Sequence, residues 1–217
     1  MDNKTINLEV VEPTDKPPMR SKRGATEVTK ELFEKTVGTF ETLEPSRWQL
    51  YRMGLNLLEA GFEVEAYLLI LATWNFARFR YVMRTFKLDA FGEAIEKTKP
   101  SFKRLRDQSF ATVDFDSIAE DVKKIYTRFK SLAEQTGAAK IMHFKSPRLF
   151  VMWDTEIRKR YRIPNEGSAE DFLKFQKLMQ STFGHLTWID GDKTLPKAID
   201  EFNFCLVHGQ QAEDDHA

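Results

Sequence analysis

The sequence has one cysteine, no long uncharged run and no net charge in its 217 residues. A single cysteine, Cys205, excludes an internal disulfide framework and is typical of a reducing compartment. The longest stretch without a charged residue, Ala66–Ala77, has 12 residues, whereas a membrane-spanning helix needs about 20. The first 16 residues also lack the apolar segment of a secretory signal. We therefore predict a cytoplasmic protein that has no membrane partner.

The composition is that of a chain able to form one compact domain. Hydrophobic residues make up 41% and charged residues 30%, and 18 Phe and 4 Trp supply bulky side chains for a core. A chain of this size buries roughly 70% of the surface that its unfolded state exposes. We expect a single helical domain over residues 25–209. A flexible or loosely docked N-terminal arm (1–24), rich in proline, would precede it, and a disordered acidic tail (210–217) would follow.

Apolar residues recur at helical spacing through most of the chain, which predicts an all-α fold of eight to ten helices. The segment Glu63–Phe86 is expected to form the longest helix, buried at the centre of the domain. Ser117–Glu120 and Ser168–Asp171 have the spacing of helix-capping boxes, and Thr194 is expected to cap the last helix. Strand-like alternation is confined to three runs, each too short for a sheet of its own: Leu8–Val11, Ala111–Phe115 and His185–Ile189.

Positive charge is concentrated in two stretches of the sequence. Residues 76–106 contain nine Lys or Arg against three Asp or Glu, and residues 140–162 contain seven against two. Such a basic middle favours a phosphate-bearing partner. Solvated helix faces are the alternative interpretation of the same charges.

One segment places a lysine and an aspartate in a setting that favours chemistry. Gly137 is expected to end one helix, and Lys140 is expected to open a short new one. The apolar run Leu149–Trp153 then leads to Asp154 at the start of the next helix. A carboxylate is favoured there because it accepts the free backbone N–H groups of the first turn.

This segment resembles the helix-hairpin-helix DNA glycosylases. Their lysine follows a Gly-containing hairpin, as in Gly137-Ala-Ala-Lys140. Their aspartate lies in a hydrophobic-Asp-Thr/Val-x-Ile/Val-x-Arg sequence, as in Trp153-Asp154-Thr155-Glu156-Ile157-Arg158. The resemblance implies a glycosylase-like fold and the excision of a damaged or modified base from duplex DNA during repair. By the same resemblance, Lys140 would attack C1′ of the nucleotide and form a Schiff base, with hydrolase and lyase activity, and Asp154 would assist base departure.

The implied chemistry sets physical requirements on the site. A lysine amine attacks carbon only when it is unprotonated, so its pKa must fall from about 10.4. A base flipped out of the duplex stacks on aromatic rings in a pocket. One cysteine excludes the iron–sulfur cluster that some relatives carry, and we expect no cofactor and no metal. We expect five further side chains to contact the substrate: Trp74, Arg78, His143, Trp153 and Arg158.

Each of these residues also has a purely structural interpretation. Asp154 is then only a helix N-cap, Lys140 is a solvated residue or a partner of Glu134, His143 is a hydrogen-bonded core residue and Trp74 is core packing. Two other functions remain open. One is a non-catalytic helical protein that binds nucleic acid, and the other is a helical interaction module of a toxin–antitoxin or phage-defence locus. Basic residues that converge on one face with Lys140 would favour either nucleic-acid function over the interaction module.

Overall fold

A computed structural model describes residues 7–8, 26–74, 79–81, 83–84, 86–188 and 193–214. Arg78 and most of the predicted N-terminal arm lie outside the described residues. Eight α-helices can be bounded in the described part of the chain, so the predicted all-α fold is confirmed. They are α1 Lys30–Leu43, α2 Arg47–Glu59, α3 Glu63–Trp74, α4 Leu88–Leu105, α5 Ala119–Lys145, α6 Thr155–Arg160, α7 Ala169–Phe183 and α8 Leu195–Asp214.

The expected end of the central helix at Phe86 is wrong. Within the predicted span Glu63–Phe86, the described residues are helical at Glu63–Trp74 and at 79–81, but residues 83–84 form a turn and Phe86 lies outside a helix. Helix α5 covers 27 residues as two helical segments that meet at Glu134.

Helix α5 is bent, but the bend is not at the expected glycine. Its backbone leaves the helical region at Glu134 (φ 57°, ψ −173°), three residues before Gly137. Gln135 anchors this bend, since its side-chain amide donates to the carbonyls of Asn165 and Glu166 and its own carbonyl accepts from the Trp153 indole. Gly137 and Lys140 therefore lie inside the helical segment that follows the bend.

The helix starts follow local capping chemistry. Ser168 and Asp171 form the predicted capping box at α7, and the backbone N–H of Lys197 donates to Thr194 Oγ1 at 3.3 Å as expected for α8. The predicted box at Ser117 does not form. Its hydroxyl donates instead to the carbonyl of Asp114 at 2.7 Å, and α5 begins at Ala119 without a side-chain cap.

The helices share one apolar core. Helix α8 packs on α1, α5 packs on α4 and α7, and α2 packs on α3. The α2–α3 approach is close, because a Cβ added at Gly54 would lie 2.6 Å from Ile70 Cδ1. No helix in the described ranges is long and apolar enough to span a membrane.

The remaining described elements lie at the chain ends. Strands β1 (Asn7–Leu8) and β2 (Thr26–Glu27) pair in antiparallel fashion, with Asn7 opposite Glu27. Only Leu8 of the predicted strand Leu8–Val11 falls in a described strand. Helix α8 extends to Asp214, so residues 210–214 of the predicted acidic tail belong to that helix.

Candidate active site

The connection between α5 and α6 is a buried, extended segment. Leu149–Trp153 is almost completely inaccessible to solvent, as the apolar run predicts. A single side chain, Gln176 of α7, satisfies the backbone of its central residue. The Gln176 amide accepts from the Val151 N–H at 2.9 Å and donates to the Val151 carbonyl at 2.8 Å. Buried backbone groups need such partners, so Gln176 fixes the course of the chain into Asp154.

Asp154 is the N-cap of α6, as predicted. Its Oδ1 accepts from the backbone N–H of Ile157 at 2.8 Å, and its Oδ2 lies 3.6 Å from Nε2 of His208. Burial alone raises the pKa of the Asp154 carboxyl. The hydrogen bonds from His208 and Ile157, together with the charge of Lys140, outweigh that effect and hold this pKa below its usual range. Asp154 is therefore a carboxylate at neutral pH.

Lys140 is a buried amine on the inner face of α5. Only 8% of the residue is exposed, and its ammonium group donates a hydrogen bond to the backbone carbonyl of Trp74. Burial lowers the pKa of Lys140 to about 8, although the carboxylates of Asp200 and Asp154 act in the opposite direction. The buried site therefore supplies the lowered pKa that a lysine nucleophile requires.

Lys140 and Asp154 line the same pocket, which has a volume of about 220 Å³. Six elements or their connections contribute to its walls: α1, α2, α3, α5, the start of α6 and α8. Four aromatic side chains, three cations and two carboxylates stand among the lining residues. The full lining is Phe40, Arg47, Trp74, Lys140, Met152, Trp153, Asp154, Ile157, Lys197, Asp200, Phe204 and His208.

A buried group of charged side chains on α8 and immediately before it, which we call the α8 charge cluster, adjoins this pocket and was not predicted from the sequence. It consists of Lys193, Lys197, Asp200 and Glu201. The Lys197 amine lies 3.0 Å from Asp200 Oδ2 and 3.2 Å from Glu201 Oε1, and Lys193 lies 3.0 Å from Glu201 Oε2. The side chains of Lys197 and Glu201 are each 1% exposed.

The sequence does contain a signal for this cluster. Lys197 and Glu201 are four residues apart, and Glu201 falls on the same helical stripe as Ala198 and Cys205. A stripe facing a core is ordinarily apolar. An oppositely charged pair within it therefore indicates a buried ion pair, and such pairs are costly enough to need an explanation.

The two predicted aromatic contacts, Trp74 and Trp153, both line the pocket. Trp153 is fully buried, and its indole N–H donates to the Gln135 carbonyl at 3.1 Å. Trp74 is half-buried, and its buried indole nitrogen has no hydrogen-bond partner among the described residues. Buried donors are normally paired, so this N–H is an exception within the described part of the chain.

His143 does not reach the pocket and lies in the core. Its Nδ1–H donates to the Phe150 carbonyl at 2.6 Å, and its Nε2 accepts from the Tyr51 hydroxyl at 2.9 Å. Burial lowers the pKa of His143 to about 4, so the ring is neutral at physiological pH. The sequence allowed two interpretations of His143, a substrate contact or a hydrogen-bonded core residue, and the structure places it in the core.

Arg158 also lies outside the pocket lining. It is buried on α6, donates to the Asn165 carbonyl at 2.8 Å, and its guanidinium carbon lies 5.8 Å from the centroid of the Trp153 ring. Arg158 thus supports the back of a pocket-lining tryptophan. Besides Lys140, the cations that line the pocket are Arg47 and Lys197, neither of which the sequence singled out.

Comparisons with protein-family models, curated proteins and solved structures found no match for this chain. Within the described ranges, no group of three or more His, Cys, Asp or Glu side chains is placed to hold a metal ion. The functional argument therefore rests on the geometry and charge of the pocket.

Proposed function

We propose that this protein is a DNA glycosylase that excises a damaged or modified base, with lyase activity through Lys140. The observation that carries the proposal is the placement of a buried lysine of lowered pKa and an ionised aspartate in one aromatic pocket. The sequence resemblance to helix-hairpin-helix glycosylases names the same two residues.

The pocket suits a ligand of the size of a single base. Its volume of about 220 Å³ is below the roughly 300–1,000 Å³ of pockets for drug-sized ligands. The rings of Phe40, Trp74, Trp153 and Phe204 supply an apolar lining for a planar group. The carboxylate of Asp200 supplies an acceptor for a polar edge of a base.

The two reactive groups divide the chemistry between them. The neutral Lys140 amine attacks C1′, and the electrons of the C1′–N bond leave with the base, which takes up a proton. Asp154 stabilises the positive charge that develops on the sugar. The amine loses its protons as the sugar ring opens to the imine, and elimination at C2′ then breaks the 3′ C–O bond. Asp200, the second carboxylate on the pocket lining, can receive a proton.

The test is base excision from a panel of duplexes that each carry one modified base. Lys140→Gln is expected to abolish excision while leaving duplex affinity within a few-fold, because it removes the nucleophile but preserves a polar side chain. The matched control is Lys124→Gln, at an exposed position on α5. Excision by Lys140→Gln at the wild-type rate would show that Lys140 is not the nucleophile.

A second candidate is a nucleic-acid-binding protein without catalysis. It is favoured by the hydrogen bond from the Lys140 amine to the Trp74 carbonyl, which gives that amine a structural partner. Under this alternative, Lys140→Gln changes the stability of the protein, and there is no base-excision activity for it to abolish. Wild-type protein that binds duplex DNA and excises no base from the panel would favour it.

A further inference from the structure

A second concave site lies at the other end of the α2–α3 pair. We call it the basic groove; its volume is about 600 Å³, and it is formed by the ends of α2, α4 and α5 with the residues that follow α5. Both basic stretches of the sequence contribute to it. Lys99, Lys103 and Arg106 come from the first stretch, and Lys145 and Arg148 come from the second.

Three of these five cations have no ion-pair partner among the described residues. Lys99 lies 2.5 Å from Glu96, and Lys145 pairs with Glu63. In the described part of the chain, no salt bridge or side-chain hydrogen bond involves Lys103, Arg106 or Arg148, all three of which are exposed. Glu59 is the one further carboxylate on the described lining. The groove thus has a net positive charge that its own residues do not neutralise.

The rest of the groove is apolar. Phe102, Leu105 and Leu149 are buried beneath it, and Leu55 and Leu58 of α2 line it from the side. A ligand that fits must therefore combine an anionic group with an apolar body. Three unpaired cations exceed the charge of a single carboxylate and suit a phosphate, which carries up to two negative charges and is bound bidentately by arginine.

We propose that the basic groove is a nucleotide-binding site. Lys103, Arg106 and Arg148 hold the phosphate, and the sugar or base lies against the leucines and Phe102. The site is distinct from the Lys140 pocket and does not depend on the chemistry there.

A nucleotide can reach this groove free or as part of a strand. Helix α2 places Arg47 at the Lys140 pocket and Leu58 at the groove, which are about 16 Å apart at 1.5 Å per residue. A strand with about 3.4 Å between phosphates along the duplex axis covers that distance in roughly five nucleotides. If the natural ligand is a nucleic-acid strand, the affinity should rise with the length of the strand. If the natural ligand is a free nucleotide, a longer strand should bind no more tightly than the monophosphate.

The experiment measures binding of the full chain to deoxyadenosine monophosphate, to a 12-nucleotide DNA strand and to inorganic phosphate. The test variant is Lys103→Gln/Arg106→Gln/Arg148→Gln. The matched control is Lys123→Gln/Lys124→Gln/Arg128→Gln, which removes three charges from a separate basic cluster on α5. Unfolding midpoints of both variants check that the exposed substitutions leave the fold intact.

We expect the test variant to lose more than about tenfold in affinity for the nucleotide or the strand, and the control to change little. For a strand, the slope of log affinity against log salt should also fall by about 0.7, the contribution of the one phosphate contact that is lost. Equal loss in the control, no loss in the test variant, or inorganic phosphate bound as tightly as the nucleotide would overturn the proposal. Lys140→Gln should bind the monophosphate as wild type does, because Lys140 does not line the groove, so the outcome of the glycosylase assay does not affect this result.

Discussion

Replacing Lys140 by methionine is expected to change how the free energy of unfolding depends on pH. The folded protein holds the pKa of this amine at about 8, whereas the same amine in the unfolded chain has a value of 10.5. Between these two values the unfolded chain binds the proton more tightly than the folded one. The buried amine therefore costs stability at low pH, and that cost falls as the pH rises from 8 to 10.5.

The size of the effect follows from the difference between the two pKa values. At about 1.36 kcal/mol for each pKa unit, burial of the charged Lys140 costs on the order of 3 kcal/mol at pH 7. The cost falls to roughly 1.4 kcal/mol at pH 9.5 by the same linkage. Methionine has similar length and never titrates. Between pH 7 and pH 9.5, the free energy of unfolding of the wild type should therefore rise by about 2 kcal/mol relative to that of Lys140→Met.

Urea unfolding of both proteins at the two pH values measures this double difference, in which all other titrations cancel. Loss of the hydrogen bond to the Trp74 carbonyl shifts the variant by the same amount at each pH and does not affect the result. Lys124→Met, at an exposed position on α5, is the control and should show no such pH dependence. A double difference near zero for Lys140→Met would refute the account of a buried amine with a lowered pKa.

Two further predictions concern the buried polar groups. Glu201→Gln leaves two buried lysines without their shared carboxylate and should lower the free energy of unfolding by about 3–5 kcal/mol. The control Glu156→Gln removes an exposed pair with Lys159 and should lower it by about 1 kcal/mol or less. Equal effects of the two variants in urea unfolding would contradict the burial argument. The ring of His143, whose pKa burial lowers to about 4, should show no NMR titration between pH 8 and pH 5.5, and a midpoint near 6.5 would show that it is solvated. Because the unfolded chain binds that proton more tightly below pH 6.5, the protein should also lose stability as the pH falls from 6.5 towards 4.

Much of the fold follows from local rules that can be applied to the sequence. Periodic apolar residues identify the helices, the Ser168 capping box starts α7, and the Asp154 carboxylate caps α6 as its position after a buried run predicts. The proximity of Lys140 to Asp154 also follows, because a short apolar connection joins the two helices that carry them. The catalytic roles of both residues stay predictions.

The other half of the pocket depends on contacts between segments distant in sequence. Arg47, Lys197 and Asp200 reach it because α2 and α8 pack there, and no local pattern states which helices will meet. The bend at Glu134 was also missed, since the hydrogen bonds that anchor it come from residues about 20 to 30 positions later in the chain. The sequence predicts a substrate contact for His143, which shares a helix face with Lys140. Its partners, Tyr51 and Phe150, place it in the core instead.

The most direct test of the central claim is to trap the Lys140 adduct with borohydride. A duplex carrying an abasic site presents the C1′ aldehyde whatever base the enzyme normally removes, so the test does not require the substrate to be known. Incubation with borohydride reduces any imine to a stable amine, and mass spectrometry of the digested protein locates the modified lysine. The account predicts one adduct, on Lys140, that Lys140→Gln abolishes and Lys197→Met retains. No adduct, or an adduct that persists in Lys140→Gln, would contradict it.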